Sequence, residues 1–422
     1  MQNKYDYVIV GSGVSGLYAA LNLNSNKNIL VISKSNLEDC DSYLAQGGIC
    51  VLPEESDYDN FFNDTLKAGH YENDKDAVKE MILNSQDVIS DLVKFNVDFT
   101  KNENGFVYTR EGAHSRPRIL YHKDITGKEI TRKLLAEVKT RKNITLSENT
   151  ILLDIIENNG ECSGVLVSKD GKDYAINAKA VLLASGGVGG LYENSTNFKE
   201  LTGDALTICY KHHIELKDVN YVQIHPTTLY SKKKGRRFLI SESVRGEGAL
   251  LYNSEGKRFA DERLPRDILT NKILAEMKRE GSNHVYLDMR VLGEDEVLNH
   301  FPNIYQACLE EGYDPLKDLV PVVPAQHYYM GGVKVNLNSK TSMNRLYCLG
   351  EAACNGVHGK NRLASNSLLE SLVFAKKAAL DLNNSNLDGI DLGEINYSRE
   401  EFEKFQNEIM AFVKGEKEYE FN

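Results

Sequence analysis

Cysteine is sparse and unpatterned in this chain. Seven occur, at positions 40, 50, 162, 209, 308, 348 and 354, with no C-x-x-C spacing. The odd count and the missing motif suit reduced thiols rather than a disulfide frame, and no metal site is expected. Long apolar runs are lacking too: none approaches the ~20 residues that a membrane-spanning helix needs. The start, Met1-Gln2-Asn3-Lys4-Tyr5-Asp6, runs straight into an apolar stretch, so no signal peptide is expected. Positive charge is not in excess. The net charge of -11 argues against general nucleic-acid binding while leaving room for a local basic pocket. Tandem repeats and low-complexity tracts are absent. These exclusions leave the expectation of a soluble, cytoplasmic globular protein. Its 422 residues are enough for two or three domains.

What is present begins with Val8-Ile9-Val10-Gly11-Ser12-Gly13-Val14-Ser15-Gly16. An apolar strand ends in G-x-G-x-x-G, and a helix-like run follows at once. This is the pattern of a dinucleotide-binding turn. The first glycine allows the bend, the second lets backbone approach a pyrophosphate, and the third lets helix pack on strand. The helix N-terminus then offers free N–H groups to phosphate. Asn28–Ser33 reads as the next strand of the unit. It ends in Ser33-Lys34, where an NAD-binding chain carries an acid for the ribose, and Glu38 lies too late to substitute.

Further along, residues 41–48 form a small-polar stretch with two adjacent glycines. Residues 57–95 and 124–141 read as helical, and 144–180 as a β-meander. Glu111-Gly112-Ala113-His114-Ser115-Arg116-Pro117-Arg118 reads from its composition as a solvated loop. A buried-type strand over 178–184 breaks into Ser185-Gly186-Gly187, and Asp204 starts a helix where it can cap or bind a sugar hydroxyl. From about 219 polar groups enter an apolar setting, and near 330 the earlier style returns. The stretch Arg345–Glu351 is a second strand-then-glycine unit, and 358–369 is a polar loop entering a helix. The segment 385–422 is charged and reads as helical.

Taken together, Gly11–Gly16, Ala45-Gln46-Gly47-Gly48, Ala184-Ser185-Gly186-Gly187, His225-Pro226-Thr227, Arg245-Gly246-Glu247-Gly248, Gly350-Glu351-Ala352 and Ala364-Ser365-Asn366-Ser367-Leu368 resemble the succinate dehydrogenase/fumarate reductase flavoprotein family. The match runs in order over about 1–385. It implies an α/β fold: a Rossmann-like FAD-binding domain (1–218 and 329–384) interrupted by an α+β capping domain (219–328), with a short C-terminal helical remnant (385–422) in place of a longer helical domain. Within that family the chain looks most like the branch that oxidises L-aspartate to iminoaspartate, with O2 or fumarate as acceptor, for quinolinate and NAD synthesis. A hand-off of product to quinolinate synthase is part of that picture; nucleic acid and membrane are not. A succinate dehydrogenase or fumarate reductase flavoprotein subunit is the alternative, and a non-enzymatic flavoprotein that kept the fold is another.

The resemblance also assigns residues. Asp41 stands where the membrane enzymes carry their flavin-linked histidine, which implies non-covalent FAD. Cofactor contacts are implied for Ser12, Gly13, Val14, Ser15, Lys34, Asp41, Ser42, Tyr43, Leu44, Ala45, Gln46, Gly47, Gly48, Asp204, Glu351, Ser367 and Leu368. His225, His327, Arg266 and Arg362 match the residues that clamp two carboxylates, work for which arginine's charged fork is suited. Gln223 and Ser241 are implied as further substrate contacts; Ser241 stands where threonine is common, as does Ser185. Glu111 resembles the glutamate that faces the substrate amino group. Arg266 matches the family's proton-transfer residue. For amino-acid oxidation, electrostatic positioning by this guanidinium is as plausible as proton abstraction, since guanidinium rarely loses its proton.

Overall fold

The computed structural model describes residues 2–419. Its main sheet runs, in order, Ile144–Ser147, Ile29–Ile32, Lys4–Val10, Lys172–Leu183 and Leu346–Cys348, each pair parallel. The chain winds outward from Lys4–Val10 on one side, then returns to start the other side with Lys172–Leu183. Strand order therefore reverses between these two neighbours. A crevice opens beyond their carboxyl ends, at Gly11 and Ala184, and open α/β sheets bind ligands at such switch points.

Strand periodicity sorts the apolar residues onto two faces. Tyr7, Ile9 and Val31 join a core with the helices Val14–Asn22, Thr126–Thr140 and Asn366–Asn384. Val8, Val10 and Leu30 face the other way, toward the helices Asp204–Lys211 and Arg399–Val413. Both faces are covered, so the strands are nearly continuous in apolar residues. The strand Lys172–Leu183 joins the parallel and antiparallel parts of one seven-stranded sheet. Its first half pairs antiparallel with Glu161–Lys169, which pairs with Thr150–Asn158; its second half enters the parallel part.

The capping region has a core of its own, built wholly from residues between Leu229 and Val322. Its antiparallel sheet runs Val222–Leu229, Val320–Tyr329, Val285–Asp288, Leu250–Tyr252. The helices Arg266–Glu280, Glu294–His300 and Pro302–Glu310 complete it. The first and last long strands carry the chain out and back. Their register slips between His225 and Thr228, where Pro226 denies the ladder a donor.

Of the described residues 385–419, only Arg399–Val413 are helical. Residues 385–398 hold no regular element because side chains of the meander take up their backbone groups: Asn177 donates to Ile390 O, Asn158 to Asp391 O, and Ser163 Oγ accepts from Gly393 N. Residues 420–422 lie outside the described part. No described helix is long and apolar enough to cross a membrane. All seven cysteines are unpaired thiols.

Candidate active site

The glycine turn is sterically obligatory. At Gly11, φ is +119° and a Cβ would lie 2.0 Å from Ala184 O; at Gly16 a Cβ would lie 2.1 Å from Gly11 O. The N-cap residue Gly13 has no side chain to cap the helix that starts at Val14; Val14 N–H donates to Ser42 Oγ, and the N–H groups that follow it in the first turn keep their capacity for a phosphate. From this turn a long cavity, partly open to solvent, runs past Ser33, Lys34 and the 41–48 loop and ends beneath the capping sheet.

The far end gathers charge from both domains. His225, Ser241 and Arg266 come from the capping region, His327 from its return strand, and Glu111 and Arg362 from the other domain; all six line the cavity. The slipped register at Pro226 lays His225 Nδ1 against the Thr227 backbone and leaves Nε2 buried without a partner. His327 Nδ1 lies 2.8 Å from Thr196 Oγ1, and the two imidazoles meet edge to face at 5.2 Å. Burial, and after it the positive charge of Arg266, pulls both histidines well below their ordinary pKa. They are neutral hydrogen-bonding groups at physiological pH.

Arg266 opens the helix Arg266–Glu280, where Pro265 precedes it, and its Nε donates to Glu242 Oε2 at 2.6 Å. Glu242 also faces Arg245 Nη2 at 3.6 Å. Burial alone would push Glu242 up, but Arg266 and Arg245 outweigh it and hold the carboxyl below its ordinary value. Arg362 has no carboxylate within ion-pair distance among the described residues. Its Nε donates to Gln223, its Nη1 to Ser367 Oγ, and its plane lies 4.2 Å over the Tyr328 ring. Burial, then repulsion by Arg266, brings it down to about 10, so it remains a cation in search of an anion.

Glu111 is the anion of the site. Its Oε1 accepts from Ser243 Oγ at 2.7 Å and its Oε2 from Ser365 Oγ at 2.5 Å. Burial and the nearby Glu242 raise its pKa. The surrounding loop is not solvated, contrary to the reading from composition. Arg118 is fully buried between Asp57 and Asp64, at 2.7 Å from each, and donates to His114 Nδ1; His114 Nε2 in turn donates to Ala364 O. Two acids from the segment before the loop thus draw it inward.

These features coincide with those of known proteins. Residues 6–368 match the family model for an FAD binding domain. L-aspartate oxidase of Clostridium perfringens is 52% identical over 93% of this chain and 89% of its own length. That of Clostridium acetobutylicum is 47% identical over 91% and 89%. The chain belongs to the L-aspartate oxidase family. Within the wider flavoprotein fold, E. coli quinol fumarate reductase superposes with a TM-score of 0.85 at 28% identity, over 97% of this chain and 74% of that one.

Membership in this family makes FAD the cofactor, and the cavity fits it. Asp41 Oδ2, Gln46 Oε1 and Ser185 Oγ are buried along its walls without partners, as expected of groups that a ligand completes. Gly47 leaves backbone room beside Glu111, where a Cβ would lie 2.5 Å from Oε1. Glu351 takes one bond from Tyr329 N; burial and then Asp41 push it up to about 8, which suits a carboxyl awaiting hydroxyl donors. The helix Asn366–Asn384 starts uncapped at the cavity beside Ser367 and Leu368.

Of the implied cofactor contacts, Ser12, Gly13, Ser15, Lys34, Asp41, Ser42, Leu44, Ala45, Gln46, Gly47, Gly48, Asp204, Glu351, Ser367 and Leu368 line the cavity. Lys34 and Asp204 are paired with each other at 2.9 Å. Two side chains do not line it. Val14 packs into the core behind the turn and offers only its backbone N–H, which donates to Ser42 Oγ. Tyr43 sits on the outer side of the turn Asp41–Leu44, with Lys128 Nζ 5.4 Å from its ring. Gln223 also stays off the cavity wall, because the arginines and Asn361 use all of its hydrogen-bonding capacity. Sequence reasoning missed Glu242, Ser243, Arg245, Tyr328 and Ser365. For the first three a signal existed, since an acid and an arginine at i,i+3 stood in a polar stretch within an apolar setting.

Proposed function

We propose that this chain oxidises L-aspartate to iminoaspartate, the first step of the quinolinate route to NAD, with O2 or fumarate as final acceptor. The reaction removes a hydride from Cα and a proton from the amine. Bound FAD supplies the two-electron acceptor. Arg266 and Arg362 pair with the two substrate carboxylates, and neutral His225, His327 and Ser241 add hydrogen bonds. Residues 219–328 act as the cap over this clamp. The Arg266 guanidinium donates to the buried Glu242 carboxylate, and Arg266 acts electrostatically. Glu111 attracts the substrate ammonium, and its raised pKa brings it closer to accepting the amine proton. The work takes place in the cytoplasm. Imines hydrolyse in water, which favours prompt transfer of the product to quinolinate synthase.

The observation that carries this reading is Glu111, a buried carboxylate with no ion-pair partner among the described residues, beside a cationic dicarboxylate clamp. The clamp alone serves succinate and fumarate equally, and only an amino substrate gives Glu111 a cationic partner. Anaerobic mixing of the FAD-loaded protein with L-aspartate is expected to bleach the flavin absorbance, and mixing with succinate to bleach it little. Bleaching by succinate alone would move the chain to the dehydrogenase reading. Bound flavin that responds to neither would overturn both.

A further inference from the structure

Among the described residues, no other side chain than Gln223 hydrogen-bonds to both arginines of the clamp. Its carboxamide oxygen accepts from Arg266 Nη1 at 2.8 Å and from Arg362 Nε at 3.2 Å. Its NH2 group donates to the Arg362 carbonyl at 2.8 Å and to Asn361 Oδ1 at 2.9 Å. Asn361 donates onward to Ala68 O at 3.0 Å, at the end of the helix Tyr58–Ala68. The opposite amide orientation would set NH2 against two guanidinium donors, so the partners define which end is oxygen. Gln223 is 3% exposed and belongs to the capping strand Val222–Leu229, as Arg266 belongs to the capping helix, whereas Arg362 comes from the other domain. The amide therefore ties the two halves of the clamp together across the domain boundary.

Two buried cations facing one ligand repel each other, which is part of why Arg362 is driven down. A neutral oxygen between them holds their separation without cancelling either charge. We propose that Gln223 is a positioning residue that sets both the spacing and the unspent charge of the two-arginine clamp, and so the length of dicarboxylate it accepts. This rests on the reading that the clamp binds a dicarboxylate substrate. Glutamate here would pair more strongly with the same two guanidinium donors, but it would set its second oxygen against the Arg362 carbonyl and Asn361 Oδ1, which the amide NH2 now serves, and would neutralise charge needed by the ligand. Ligand affinity should then fall further with glutamate than with the uncharged Gln223→Met, which a purely structural role would not produce.

The test uses FAD-loaded wild type, Gln223→Glu and Gln223→Met. Affinities for malonate, succinate and glutarate come from thermal-shift titration, alongside bound FAD and the ligand-free Tm. Gln223→Glu is expected to retain FAD while binding succinate about 30-fold more weakly, within the range of a lost charged contact, and more weakly than Gln223→Met does. Gln223→Met, which has the length but no acceptor, is expected to reduce the preference for succinate over glutarate about fivefold or more. Succinate affinity of Gln223→Glu within about threefold of wild type overturns the proposal, as does an unchanged length preference in Gln223→Met. Should the glutamate variant fail to load FAD, the length profile of the methionine variant decides. Failure of the aspartate reading looks different: wild type would bind dicarboxylates with its length preference, yet aspartate would not reduce the flavin.

Discussion

Replacing Glu111 by glutamine removes one charge and keeps the shape. The amide oxygen still accepts from Ser243 Oγ, and the amide nitrogen meets Ser365 Oγ, which is free to turn and accept. What is lost is the charged partner for the substrate ammonium. A hydrogen bond to a charged group is worth about 1.5–3 kcal/mol, which is about 10- to 150-fold in kcat/KM. Coulomb attraction between unit charges about 4 Å apart at an effective dielectric of about 20 is about 4 kcal/mol, before the cost of stripping water from the ammonium, so the loss should fall below that. Succinate has no ammonium and should lose nothing, so the aspartate-to-succinate ratio falls by the same factor. The pH profile gives a second signature. Burial and Glu242 raise the Glu111 pKa, so the anion needed for binding is lost on acidification at a higher pH than for a free glutamate. Wild-type kcat/KM should decline on the acid side, and this limb should vanish in Glu111→Gln. Neither His225 nor His327 adds a limb near neutrality, because both are held neutral. The assay is the rate of anaerobic flavin reduction against substrate concentration and pH. A kcat/KM for aspartate within about threefold of wild type, with the acid limb intact, would refute the role given to Glu111.

Two other substitutions probe the frame. Arg118→Met leaves Asp57 and Asp64 without their shared buried cation; a loss of about 3–5 kcal/mol is expected in urea unfolding, with aspartate turnover falling as the Glu111 loop loosens. Gly11→Ala forces a Cβ against Ala184 O from a left-handed backbone. The purified protein should carry little or no flavin absorbance, and full FAD loading would mean that the turn has been misread.

Where a requirement was local, it could be read along the chain. Three glycines between a strand and a helix form a local pattern, so the nucleotide turn was visible at once, although the contact that makes Gly11 obligatory comes from Ala184 on the neighbouring strand. The ordered motifs likewise pointed to His225, His327, Arg266 and Arg362, all of which line one cavity. Composition misjudged the Glu111–Arg118 loop because the acids that bury Arg118 lie more than fifty residues earlier. It could not show that Val14 and Tyr43 turn their side chains from the cavity, or that 385–398 gives its backbone groups to the meander instead of to a helix.

The sequence by itself determined the cofactor turn, the order of the elements and the identity of the charged groups. Only the tertiary structure decided which of those groups are paired, neutral or unspent. Gln223 was legible as an implied substrate contact, but its place between two arginines exists only once a capping strand, a capping helix and a loop 139 residues away converge. Backbone conformation is largely a property of neighbouring residues, whereas burial, pairing and protonation belong to groups that only the folded chain brings together.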